Sequence, residues 1–153
     1  MLLLGVEFDK NGPLEVIGYR ELAFFKGTAI GPLLASYDYQ SASGSRAATI
    51  QTIYPSLREI KLFYNGGCFF DKAAIFPQTK VIASYGNQSS AIIFTNYGSG
   101  RVLLSGLHFE YDPFLLDMQN PYISKFILTL QQNNEERKIL IKELMILLGL
   151  NKF

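Results

Sequence analysis

The stretch Ala91-Ile92-Ile93-Phe94-Thr95-Asn96, the turn Tyr97-Gly98-Ser99-Gly100 and the run Arg101-Val102-Leu103-Leu104-Ser105-Gly106 leave this chain the least freedom. Two β-branched and aromatic runs separated by a glycine-containing turn read as a β-hairpin, because glycine supplies the backbone conformations that tight turns need. Further strand-like runs precede it, at Ala47 to Tyr54 ended by Pro55, Ile60 to Tyr64, and Lys80 to Tyr85. Leu14 to Phe25 suggests one or two more, before Gly27 and Gly31-Pro32 break the pattern. The last third changes period. Tyr122 to Leu130 has helical spacing, and Asn133-Asn134-Glu135-Glu136 reads as an N-cap followed by first-turn acids. Ile139 to Leu148 is apolar almost all round and ends at Gly149, a C-cap signal. Strands first and helices last predict an α/β or α+β domain with helices packed on a sheet. With 153 residues and no linker or internal repeat, residues 1–153 read as a single domain.

Just past the hairpin stands the only histidine of the chain, in Ser105-Gly106-Leu107-His108-Phe109-Glu110-Tyr111. On an extended backbone, residues two apart point to the same side, so His108 and Glu110 project together. That is a base beside a carboxylate able to fix its tautomer, at a strand end where catalytic groups collect. The bland alternative is a surface pair beyond a strand.

Two other regions hold polar groups in this otherwise apolar sequence. Tyr37, Asp38, Tyr39, Ser43 and Arg46 lie in a donor-rich loop, and Arg20-Glu21 precede it. They read either as a pocket wall or as loop hydrogen bonds and surface ion pairs worth ~0 to 1 kcal/mol each. Asn65-Gly66-Gly67 ends a strand where glycine permits close approach of a backbone or ligand. Cys68 follows directly and is the only cysteine, so it forms no intrachain disulfide and no Cys/His zinc site. It reads as a small core residue or as a thiolate activated by His108. No phosphate-loop spacing is present. A net charge of +1 supplies no field for nucleic acid or an anionic membrane. A cytoplasmic protein without a cofactor, metal or membrane span is expected.

Four collinear motifs carry a resemblance. They are Leu14 to Gly27, Tyr37 to Ser41 with Gly44-Ser45-Arg46-Ala47, Tyr64-Asn65-Gly66-Gly67, and Ser105 to Tyr111. In this order the sequence resembles the amino-terminal domain found on biotin-protein ligases of the eukaryotic type and as stand-alone bacterial proteins. The resemblance implies the class I glutamine amidotransferase superfamily, a flavodoxin-like α/β sandwich whose motif pairs an elbow cysteine with a downstream His-x-Glu. Here that pair is His108 and Glu110. In that family, the elbow lies in a Gly-x-Cys-x-Gly-like segment shortly before the stretch matching Val6-Glu7-Phe8. Only Met1 to Gly5 stand there, so the first strands and the elbow are expected to be missing, and the cysteine role does not pass to Cys68.

Three roles follow as expectations. One is a non-catalytic regulatory or small-molecule-binding module. Another is a cysteine-dependent amidase or hydrolase, using Cys68 or a nucleophile from a missing segment or complementing chain. The third is assembly, including a homo-oligomer, through an exposed sheet edge. Biotin ligation by this chain alone is not expected.

Overall fold

A computed structural model describes residues 15–17, 24–38 and 40–150. Met1 to Gly5, Arg20, Glu21 and Tyr39 lie outside the described residues. In chain order the strands are β1 (Glu15–Ile17), β2 (Thr28–Ile30), β3 (Arg46–Thr52), β4 (Arg58–Tyr64), β5 (Phe69–Phe70), β6 (Thr79–Tyr85), β7 (Ser90–Tyr97) and β8 (Gly100–Ser105). Helices α1 (Ile127–Gln132) and α2 (Asn134–Leu147) follow. The predicted hairpin is β7–β8, with Tyr97 opposite Gly100 and Gly98 at φ 58°. Positive φ is the conformation for which the turn needs glycine.

The strands form one sheet in the order β1-β2-β5-β7-β6-β3-β4, with β8 also paired to β7. Every strand pair among the described residues is antiparallel. The architecture is therefore α/β with a mostly antiparallel sheet and two C-terminal helices. The pairing shows none of the parallel ladders that a flavodoxin-like sandwich has at its centre.

The sheet is strongly curled, and the chain itself proves it. β8 and β4 lie four strand spacings apart through β7, β6 and β3, about 19 Å if flat. Yet His108, only three residues beyond the end of β8, bridges to Phe63 of β4, with the His108 N–H donating to the Phe63 carbonyl at 2.9 Å. Three residues span at most about 11 Å. The β6–β7 ladder is irregular in register between Val81 and Ser84, and irregularities of this kind bend and twist a strand locally.

Inside the curl, alternate residues Ala48 and Ile50 of β3 and Ile60, Leu62 and Tyr64 of β4 share one core with Ile82, Ile92, Leu140 and Leu144. The helices thus pack on the sheet as the order of elements predicts. Two corrections arise at helix ends. Asn133 makes no side-chain cap of α2. Its Oδ1 instead accepts from the Lys61 N–H at 3.3 Å, and its Nδ2 donates to the Thr129 carbonyl at 3.0 Å, so it ties the α1–α2 junction to β4. Nor is α2 covered on most sides. Leu140 and Leu144 are fully buried, while Ile139 and Ile146 are exposed. Gly149 does end the helix, at φ 89°, with its N–H bonded to Ile146 and that of Leu150 to Met145. That 5→2 and 6→1 pair is a Schellman cap.

Candidate functional site

The segment leaving β8 is built on close backbone contact. A methyl at Gly106 would stand 1.8 Å from the Cys68 carbonyl oxygen, and one at Gly67 1.8 Å from the Gly106 carbonyl oxygen. Only glycine permits this approach. Two buried phenols fasten it. The Tyr85 hydroxyl shares its proton between the carbonyls of Cys68 and Gly106, at 2.9 and 3.0 Å. Burial pushes its pKa well above the ordinary tyrosine value, so it is a permanent donor. The Tyr64 hydroxyl donates to the Gly67 carbonyl at 2.7 Å and accepts from the N–H groups of Leu33 and Leu34. The Asn65-Gly66-Gly67 motif is therefore a structural buttress beneath the histidine segment.

On that support, His108 Nδ1 lies 2.9 Å from Glu110 Oε1. A carboxylate accepts, so in this contact Nδ1 is the donor, and in a neutral ring Nε2 is then the acceptor nitrogen. The imidazole stacks on Tyr111 at a centroid distance of 4.9 Å and an interplanar angle of 7°, and Phe63 lies 5.9 Å away. The two side chains are 36% and 53% exposed, so the pair meets solvent. The spacing argument holds, although Glu110 sits in a bend rather than in a strand.

A residue the sequence reading missed lies under this loop. Arg137, 8% exposed on the core-facing side of α2, donates from Nη1 to the Phe109 carbonyl at 2.9 Å and from Nε to Asn134 Oδ1 at 2.9 Å. Its Nη2 stands 3.9 Å from Asp112 Oδ2. The available signal was an arginine at helical spacing with Leu140 and Leu144, where the core asks for an apolar side chain.

The other predicted residues divide. Asp38 turns onto its own loop, accepting from the Gln40 N–H and from the hydroxyls of Ser41 and Ser43. The Ser41 hydroxyl first, and then the Gln40 N–H, hold its carboxyl below the usual carboxylate range. Tyr37 lies over Gly66, where a Cβ would meet its ring at 2.3 Å, so the donor-rich loop and the glycine motif do converge. Arg46 begins β3, exposed, opposite Tyr64. Asp38 thus organises its own loop, and Tyr37 joins that loop to the buttress.

Cys68 is partly buried against the cluster of Phe25, Ala29, Phe70, Ala73 and Ile93. Burial pushes its thiol from 9.0 up to about 11. Iodoacetamide labelling near neutral pH is accordingly expected to run about a hundredfold slower than for a free cysteine. The rate should rise tenfold per pH unit until the pH approaches 11, since thiolate is the reactive form. Labelling at the free-thiol rate would show the thiol to be activated.

A separate cleft of about 330 Å³, lined by residues including Phe24, Lys26, Phe76, Asn96 and Tyr97, opens at the far end of β7 from His108. Groups of three or more His, Cys, Asp or Glu able to hold a metal are absent among the described residues. No described helix is long and apolar enough to cross a membrane.

A curled antiparallel sheet, two packed helices and a solvent-facing His-x-Glu pair define an α/β domain with an imidazole–carboxylate site. Comparison with known proteins is more specific. The family model described as "Biotin-protein ligase, N terminal" matches residues 4–153, and the chain belongs to that family. It is 35% identical over 107 residues to a biotin–protein ligase of Schizosaccharomyces pombe, covering 66% of this chain and 17% of that protein. It is also 35% identical over 146 residues to an uncharacterized protein of Chlamydia muridarum, covering 90% of this chain and 55% of that protein. The chain thus spans only part of the length of either relative. No solved structure matches.

Proposed function

We propose that this domain is an amidotransferase-like binding module in which His108 and Glu110 recognise a small polar ligand without hydrolysing it. The observation that carries this reading is the contrast between the two reactive groups. His108 is held by Glu110 at 2.9 Å and meets solvent, whereas burial keeps the Cys68 thiol protonated near neutral pH. A base without an activated nucleophile binds and polarises but does not form an acyl intermediate. The resemblance to class I amidotransferases supplies the ligand class, a carboxamide such as glutamine. Their sandwich fold belongs to the same proposal, resting on motif order.

The second reading is a cysteine-dependent amidase, using Cys68 or a nucleophile from another segment or chain. The triad-like His108–Glu110 contact favours it. Hydrolysis of glutamine and of p-nitrophenyl acetate by wild type and His108→Ala decides between the two. The expected result is equal background rates, together with glutamine-dependent shifts of the His108 ring resonances. A wild-type rate at least tenfold above that of His108→Ala would overturn the binding-module reading. So would unmoved His108 resonances at saturating glutamine.

A further inference from the structure

We infer that Arg137 is a positioning residue for the His108–Glu110 pair, setting its geometry from the opposite side of the loop. The inference rests on the reading of that pair as the functional site. Glu110 and His108 are separated by one residue, Phe109, and its carbonyl is the group that Arg137 holds, at 2.9 Å. Fixing the peptide between the two side chains fixes their relative orientation, because the Nδ1···Oε1 contact depends on the backbone dihedrals of residues 108–110. Asp112, 3.9 Å from the same guanidinium, extends the clamp past Tyr111, whose ring stacks on the imidazole. One cation therefore holds the loop at 109 and 112, on either side of the stacking ring.

The chemistry fits arginine in particular. A planar guanidinium offers five donors in a fixed fork, so it can serve Asn134, Phe109 and Asp112 together from one rotamer. Asn134 Oδ1, itself on α2, receives the Nε proton and fixes the direction of the fork. Burying a cation on the core-facing stripe of a helix is costly unless its partners are held in place. An apolar residue would suit the packing between Asn134 and Leu140 at no such cost, so the bonds to the loop are what arginine adds.

His108 is the only histidine in the chain, which makes the test clean. The tautomer can be read from imidazole 15N shifts near pH 8.5, where an ordinary imidazole is neutral. Wild type is expected to show a single Nδ1–H pattern. Arg137→Met should lose it to a mixture of both tautomers, and Arg137→Lys, which keeps one donor nitrogen, should fall between them. Leu140→Ala weakens the same helix but removes no hydrogen bond to the loop, and should keep the wild-type pattern. Wild-type patterns in both Arg137 variants would overturn the inference, as would an equal change in Leu140→Ala. If Arg137→Met does not fold, the lysine variant decides alone. Glu110→Ala, which removes the acceptor altogether, separates the two levels of the reading. If it leaves the tautomer unmoved, the His108–Glu110 pair itself has failed. If it shifts the tautomer while the Arg137 variants do not, only the role of Arg137 has.

Discussion

Gly106→Ala is expected to lower the melting temperature by about 10 °C. The added Cβ would stand 1.8 Å from the Cys68 carbonyl oxygen and 2.8 Å from the Tyr85 hydroxyl. Neither can yield cheaply. The carbonyl is backbone, and the hydroxyl is committed to the carbonyls of Cys68 and Gly106. Relief requires the segment leaving β8 to back away from residues 67–68, breaking a buried hydrogen bond and opening the core beside it. Overpacking of this kind costs about 3 kcal/mol, and a domain of this size loses roughly 2–4 °C per kcal/mol. Gly67→Ala meets the same contact from the other side, at 1.8 Å from the Gly106 carbonyl. Because either substitution alone separates the two segments, the double variant should cost clearly less than the sum. Thermal unfolding followed by circular dichroism measures all three. A drop of under 2 °C for Gly106→Ala would show the approach to be looser than described. Full additivity would show the two glycines to act separately.

Leu140→Ala is the second large effect, expected at about 3 kcal/mol. Leu140 is fully buried and packs with Ile50, Ile60, Leu62 and Leu144, where α2 meets the sheet. Removing its side chain forfeits the transfer energy and leaves a cavity that a rigid sheet does not close. Ile139 is the control. It precedes Leu140 on the helix but is 43% exposed, so Ile139→Ala should stay well below 1 kcal/mol. Urea unfolding with a common slope gives both values. Equal costs at the two positions would contradict the described face of α2.

Some of this was legible in the amino-acid order. The β7–β8 hairpin, the strands at residues 46–52, 58–64 and 79–85, and the glycine that ends α2 follow from period-two apolar runs and from φ values that favour glycine. His108 and Glu110 were legible for the same local reason, since two residues of nearly extended chain suffice to bring them together. Asn133 shows where local logic gives way. It has the chemistry of a cap, yet its amide is spent between Lys61 of β4 and Thr129 of α1. A distant backbone group won the competition for it.

The sequence by itself determined the β7–β8 hairpin, strands β3, β4 and β6, the placing of the helices last and the pairing of the sole imidazole with a carboxylate two residues away, because each depends on neighbours within a few positions. Tertiary structure alone decided what surrounds that pair. The curl that brings β4 to His108, the Gly67–Gly106 contact, the burial that raises the Cys68 thiol pKa and the Arg137 bond to Phe109 join residues that are far apart in sequence or placed by distant packing. Such contacts are set by sheet geometry and packing, which no local pattern encodes. That Asp38 turns to the hydroxyls of Ser41 and Ser43 was decided the same way, by where the chain turns.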